Sequence, residues 1–335
     1  MKIQPRISSE RTDLTKVIPL GTPFIIYIDP SDRCNLQCNF CPTGDRELMK
    51  ITPGRNHGTL DFELYKKIIN DLGDFEEPIK VLRLYKDGEP LIHKQFAEMV
   101  KYAKDSGFVQ RVDTTTNAVL LKPEKNLEII AAGLDRINIS IYGVNNQQYL
   151  EFSKSKVDLA NIVSNIRHFY EHRAQCEMVV KISGDFLSKE QREDFLHMFS
   201  DMDDLGLYIE HTMACWSGFD FAAHGIEINQ EQGIYGQMIQ EVSTCPYVFY
   251  SFAINSSGIA SACFLDWKRQ LTLGDLRTSS VKEIWNSHNF NEHRKMMLRG
   301  ERKNHPVCGP CGQMSHGMPD NIDSHVQVLL EKFQQ

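Results

Sequence analysis

The chain has 335 residues, 41% of them hydrophobic and 24% charged, and carries a net charge of −7. It is long enough for one large domain or a barrel with an appendage, and the acidic excess speaks against nucleic acid as the main partner, because phosphate backbones are met by a basic face. No apolar run approaches the ~18 residues of a membrane span, and Met1–Leu20 lacks the apolar core of a signal peptide, so no membrane association and a cytoplasmic location are expected.

From residue 22 onward, short β-rich runs alternate with helical patterns. Strands are predicted at Phe24–Asp29, Lys80–Tyr85, Arg111–Thr116, Arg136–Tyr142, Glu177–Ser183 and Leu207–His211. Between them, Phe62, Tyr65, Ile68, Ile69 and Leu72 recur at helical spacing, with Gly73 ending the run. Leu159, Ile162, Val163, Ile166 and Phe169 form a second such stripe. Six strand–helix units imply an α/β fold with a parallel sheet, whose functional residues gather at the C-terminal strand ends.

After Cys215 the pattern changes. Residues 216–244 read as a bridge with one helix over Gln230–Val242. Val248–Asn255 and Ile259–Phe264 read as a hairpin turned by Asn255-Ser256-Ser257-Gly258. Ser280-Val281-Lys282-Glu283 matches a capping box, so a helix starts there. Asn321–Gln335 reads as a surface helix. The predicted divisions are 1–21 as an extension, 22–215 as the barrel, 216–244 as the bridge, 245–318 as a C-terminal module and 319–335 as a terminal helix.

Nine cysteines in a chain expected in the cytoplasm point to metal or redox chemistry rather than disulfides. Cys34, Cys38 and Cys41 have the spacing C-x3-C-x2-C just after the first strand. Three thiolates on one loop suit three irons of a cubane, leaving one iron open. A zinc loop is the alternative for the same spacing. Cys245, Cys263, Cys308 and Cys311 follow as C-x17-C-x44-C-x2-C. They read either as a closed four-thiolate cluster or as a four-cysteine zinc site.

The triplet, with Phe40 before its third cysteine, resembles the signature of the radical S-adenosylmethionine (SAM) superfamily. Three further segments resemble that family: Asp87-Gly88-Glu89-Pro90 its GGEP turn, Thr115-Thr116-Asn117-Ala118 its TNG element, and Asn138–Gly143 its ISLDG-type strand. Asp87 stands where the family usually has glycine. The resemblance implies a partial (β/α)6 TIM barrel with a small α+β C-terminal domain. It implies a [4Fe–4S] cluster whose open iron chelates SAM, with Phe40, Asp87, Gly88, Glu89, Asn117 and Ser140 as cofactor contacts. Lys181, at the end of the fifth strand, is a further candidate contact, with a surface lysine as the alternative.

The second cysteine set, with Gly258, Leu273-Gly274-Asp275 and Ile284-Trp285 at matching offsets, resembles the SPASM and Twitch modules. No cysteine follows Cys311, which favours the shorter Twitch form and its single auxiliary [4Fe–4S] cluster. Its spacing is similar to that of the aminocyclitol dehydrogenase type. The resemblance therefore implies an enzyme with two [4Fe–4S] clusters and SAM that oxidises an alcohol of a small polar substrate such as a sugar, aminocyclitol or nucleotide sugar. Peptide-modifying relatives commonly carry a leader-binding domain ahead of the barrel, and only about twenty residues precede the first strand here.

Three candidates remain for catalysis. Cys215 follows the sixth strand, where a thiol can return a hydrogen atom to a substrate radical as in radical SAM epimerases; core packing is the alternative. No lysine or arginine lies between Leu205 and Val248, so a base from that stretch is His211, His224 or an acid. Cys176 reads as an inert buried thiol. The basic run from His293 to Lys303 is either a solvated helix face or a docking face for an acidic flavodoxin or ferredoxin that donates electrons.

Overall fold

The architecture comes from a computed structural model that describes residues 2–3, 11–229 and 231–333. Strands β1 (Lys2–Ile3), β2 (Ile25–Ile28), β3 (Ile79–Leu84), β4 (Val109–Thr116), β5 (Arg136–Ile141), β6 (Glu177–Ser183), β7 (Gly206–Glu210), β8 (Ser251–Ile254), β9 (Ile259–Ser261) and β10 (Thr272–Asp275) form one sheet. Its order is β1-β7-β6-β5-β4-β3-β2-β8-β9-β10. From β2 to β7 every neighbour is parallel and consecutive, which is the partial six-stranded barrel expected from the alternating pattern.

Helices close the outer face where the apolar stripes predicted them. Helix Phe62–Asp71 starts on Asp61, whose side chain accepts from the Leu64 amide, and buries Tyr65, Ile68 and Ile69. Gly73 is small for a packing reason: a Cβ there would meet the Phe108 ring at 2.8 Å. Helix Leu159–His172 buries Leu159, Ile162, Ile166 and Phe169 and leaves Val163 half-buried. Burying each such side chain contributes about 1.5–3 kcal/mol.

The C-terminal module does not build a sheet of its own. Strand β8 pairs parallel to β2, with Ile25 opposite Ser251 and Ile28 opposite Ile254, and β9 and β10 add antiparallel beyond it. This covers the edge that β2 would otherwise expose. The hairpin turns at Gly258 in the left-handed region, φ +82°. Its strands are shorter than predicted, because Tyr247–Phe249 forms a 3-10 turn. The capping box at Ser280 is present and starts the helix Val281–Trp285.

The helix predicted over Gln230–Val242 is absent from the described residues 231–242. They hold turns and an isolated bridge between Gln232 and Met238. Gly233 and Gly236, the latter with φ +77°, weaken a helix there. Backbone partners lie elsewhere instead: the Ile234 amide donates to the His316 carbonyl at 2.7 Å, and the His211 amide to the Ile234 carbonyl at 2.8 Å. The terminal helix is shorter than predicted, Val326–Lys332, since Asp323 is taken up by the Ser243 and Thr244 amides; Gln334 and Gln335 lie outside the described residues. No helix is long and apolar enough to cross a membrane.

Candidate active site

The loop after β2 carries Cys34, Cys38 and Cys41 and is held from both sides. The Gln37 and Asn39 amides donate to the Ser153 and Phe152 carbonyls, and the Cys41 amide donates to the Cys38 carbonyl. Gly44 closes it: a Cβ there would lie 2.2 Å from the Cys38 carbonyl oxygen, a requirement that sequence reasoning missed. All three thiols line one cavity of about 870 Å³. Burial pushes the Cys34 thiol up to about 12 and raises Cys38 and Cys41 as well; Cys41 also acts on Cys38 and Cys34. Desolvated thiols crowded in this way ionise readily only when a metal centre supplies the countercharge, so the donor set fits an iron–sulfur cluster.

The Asp87-Gly88-Glu89-Pro90 turn packs under that loop. A Cβ at Gly88 would stand 2.2 Å from the Ser31 carbonyl oxygen and 2.3 Å from that of Arg33. The close backbone approach therefore falls on Gly88, and Asp87 tolerates a side chain. Glu89 is buried, and its carboxylate accepts from the Thr116 hydroxyl at 2.6 Å, the Asn117 amide at 2.9 Å and the Leu91 amide at 3.1 Å. Burial outweighs these bonds and raises its pKa to about 7. Asn117 turns back to the cysteine loop, with Nδ2 2.8 Å from Asn35 Oδ1 and 3.8 Å from Cys34 Sγ.

The Asp87 side chain joins a buried ionic cluster that sequence reasoning did not find. It lies 2.8 Å from Lys86 Nζ, 2.7 Å from Arg269 Nη1 and 3.7 Å from Arg55 Nη1, and Asp29 lies 3.8 Å from Arg269 Nη2. Burial opposes ionisation of Asp87, but Arg269, Lys86 and Arg55 outweigh it and hold its pKa down; burial and Asp87 itself push Asp29 up. The only sequence signal was Asp87 standing in place of a glycine.

Phe40 packs on Tyr142 at 5.4 Å, and Ser140 lines the cavity, almost wholly buried. Lys181 is not a surface lysine: it faces the cavity and pairs with Glu210 at 2.7 Å. His211 also lines the cavity, with Nδ1 2.5 Å from Asp185 Oδ1. His224 does not. It stacks on Phe219 at 4.6 Å and reaches Asp45 at 3.7 Å, in an apolar cluster with Met49 and Trp267. Cys176 is buried in the hydrophobic core, as predicted.

The second cysteine set assembles from separated segments. Burial raises all four thiols, Cys245 to about 12, and Cys311 is a further cause of the rise at Cys245, Cys263 and Cys308. Arg302 braces the site from beneath: its guanidinium donates to the Ser243 carbonyl at 2.6 Å and the Cys308 carbonyl at 2.8 Å. Cys215 lies between the two sets. Its thiol lines the cavity, its carbonyl is 3.9 Å from Cys311 Sγ, and both Cys311 and Cys41 raise its pKa beyond the effect of burial.

The basic run does not form a free cationic face. Arg294 and Arg302 are buried, Lys295 and Arg299 pair with Glu292, and Lys303 pairs with Glu241. Structural contacts use these cations, which fits the helix-face reading of the run better than the docking one.

Comparison with known proteins agrees with this geometry. The radical SAM superfamily model matches residues 28–202, and a SPASM iron–sulfur cluster-binding domain model matches residues 245–312. A Pyrococcus furiosus protein, the tungsten-containing aldehyde ferredoxin oxidoreductase cofactor-modifying protein, is 28% identical over 141 residues, 42% of this chain and 35% of that one. The PqqA peptide cyclase of Bradyrhizobium diazoefficiens is 32% identical over 125 residues, 37% of this chain and 30% of that one. The chain thus spans about a third of the length of these two relatives. A crystal structure of BtrN in complex with AdoMet and 2-DOIA superposes with a TM-score of 0.56 at 16% identity, covering 90% of this chain and 97% of that one, a likeness of fold.

Proposed function

The chain belongs to the radical SAM superfamily, and from that premise we propose that it oxidises an alcohol group of a small polar substrate, with the two cysteine sets as the ligands of two clusters. It is a radical SAM enzyme whose cofactors are [4Fe–4S] clusters and SAM. In this reading Cys34, Cys38 and Cys41 hold the cluster that binds SAM, and Cys245, Cys263, Cys308 and Cys311 hold the auxiliary one. When bound, these groups supply a 5′-deoxyadenosyl radical on one side and an acceptor for the second electron on the other.

The observation that carries the proposal is the single cavity reaching from the first thiol loop to Phe264 and Gln313 of the C-terminal module. Its wall offers a proton acceptor. Asp185 faces Nδ1 of His211 and so keeps the ring proton there, leaving Nε2 to accept the hydroxyl proton of a substrate. Glu89, fixed by Thr116 and Asn117, orients the methionyl amino group of SAM; Ser140 and Phe40 flank the nucleoside. The Lys181–Glu210 pair supplies a donor and an acceptor for substrate hydroxyls. A flavodoxin or ferredoxin is the electron donor in this reading, with no docking face assigned to it. The test is anaerobic turnover of the reconstituted enzyme with candidate sugars and cyclitols, whose product should be two mass units lighter.

Cys215 supports a second reading, a redox-neutral epimerisation. Burial and the neighbouring thiols keep it protonated, so it carries a hydrogen atom to return to a substrate radical. The similarity to a peptide cyclase supports a third, peptide modification. A product of unchanged mass or a modified peptide would replace the oxidation reading.

A further inference from the structure

Resting on the reading of this cavity as the substrate site, we infer that the substrate carries an oxyanion, a phosphate or a carboxylate, and that Arg83 binds it. The argument begins with β3. Val81, Arg83 and Tyr85 alternate onto the cavity wall, while Leu82 and Leu84 are buried on the other face. Arg83 thus projects into the barrel interior, below the Lys86–Asp87 end of the strand.

Among the described residues it has one hydrogen-bond partner and a spare donor. Nη1 donates to the Tyr27 hydroxyl at 2.6 Å, whereas Nε is buried with no hydrogen-bond partner among the described residues. No described acid lies within ion-pair distance of Arg83. The acid opposite it in register, Asp113 on β4, is engaged by Arg111 Nε at 2.8 Å. Other cations lining the cavity are matched locally: Lys86 by Asp87, Lys181 by Glu210, Arg11 by Asp320. Lys80 is exposed and lies 3.6 Å from the centre of the Phe24 ring.

A guanidinium whose Nε–H is buried and unfilled is costly unless something completes it. Burial disfavours its charge, but a guanidinium stays protonated at any ordinary pH and the nearby Asp113 favours the charge further. Its planar fork suits the two oxygens of a carboxylate or phosphate. Tyr85 and Tyr250 line the same part of the cavity and add aromatic walls with polar tips. A phosphorylated sugar, a nucleotide sugar or a sugar acid meets this chemistry. A free aminocyclitol, itself a cation, meets like charge.

The test is anaerobic calorimetry on the reconstituted holoenzyme saturated with SAM, so that the SAM carboxylate site is already filled. Inorganic phosphate and acetate are titrated separately, with neutral methyl glucoside as control. Saturable anion binding is expected, with phosphate tighter for a phosphorylated substrate and acetate tighter for a carboxylate. Arg83→Met should weaken it about tenfold or more, as removing a charge-assisted bond does, while Arg83→Lys keeps part of it. If Arg83→Met fails to fold, Tyr27→Phe and Tyr250→Phe serve instead, with about threefold weakening expected. No saturable binding to the wild type, or equal binding after loss of Arg83, overturns the inference. The titration involves no turnover, so it stands or falls separately from the oxidation reading, which the product mass decides.

Discussion

The two thiol sets reach similar burial by opposite routes. Cys34, Cys38 and Cys41 sit on one continuous loop, and their spacing alone places them together. Cys245, Cys263, Cys308 and Cys311 come from three segments, brought together by the β8–β9 hairpin and by Arg302, which ties the Cys308 carbonyl to the Ser243 carbonyl. The first set is a local motif on a barrel edge; the second is a product of tertiary folding. A local site tolerates loss of distant contacts, whereas an assembled site and its surroundings depend on each other.

The largest expected effect separates the sets chemically. Replacing Cys34, Cys38 and Cys41 by alanine should remove about four of about eight irons, as two cubanes require, and abolish formation of 5′-deoxyadenosine. Replacing Cys308 and Cys311 should remove the other half and leave cofactor cleavage in place while substrate oxidation stops. Iron analysis and chromatography of the nucleoside check both. Loss of all iron from either variant would show that the two sets form one cooperative unit, and zinc at the second set would end its assignment as a cluster.

Next in size is Gly88→Ala, which drives a methyl into the Ser31 and Arg33 carbonyls at 2.2 and 2.3 Å. Backbone cannot yield there without moving the first cysteine loop, so SAM affinity should fall at least about tenfold, in line with an overpacking cost of about 1–3 kcal/mol. Glu89→Gln should weaken SAM by about tenfold, the scale of one charge-assisted bond. Equilibrium dialysis with SAM measures both. Unchanged affinity in both variants would reduce the Asp87–Pro90 segment to a plain turn.

A third variant probes the join between the regions. Arg269 comes from the C-terminal module and reaches Asp87 and Asp29 at the barrel mouth. Arg269→Met leaves two carboxylates with less countercharge and should destabilise the fold by about 3 kcal/mol, the usual cost of breaking a buried pair. Denaturant unfolding measures it. A loss confined to the C-terminal module, with the barrel unfolding as before, would show that the two regions are coupled less than this contact implies.

Much of this was legible beforehand because it is periodic or local. The stripe Leu159, Ile162, Ile166 and Phe169 is periodic, and the capping box at Ser280 and the triplet spacing are local, so each needs only its own neighbours. What escaped is non-local. The ionic cluster needs residues as far apart as Asp29 and Arg269. The pairing of β8 with β2 needs an edge strand that no single segment reveals. The segment 231–242 shows the same thing in reverse: it reads as a helix, but the Ile234 amide donates to the His316 carbonyl and the Ile234 carbonyl accepts from the His211 amide, partners that only the tertiary fold supplies. His224 and His211 looked alike in sequence, and only the barrel's geometry turns one toward the cavity and the other into the Phe219 cluster.

The smallest expected effect concerns the residue between the two regions. An oxidation removes two electrons and needs no hydrogen atom returned, so Cys215→Ala should keep most turnover. A modest loss of about twofold would reflect the missing sulfur contact beside Cys311, since small core truncations cost about 1 kcal/mol or less when the site can relax. An epimerisation needs an atom delivered to the opposite face, and the Cys215 thiol, buried and held protonated on the cavity wall, is placed to give it. Running the reaction in deuterated water distinguishes them. A product two mass units lighter, with no non-exchangeable deuterium, is expected. A product of unchanged connectivity with one such deuterium, absent when Cys215 is alanine, would make the thiol the hydrogen donor, and the link between the two cysteine sets would then lie in that side chain rather than in electron flow from one set to the other.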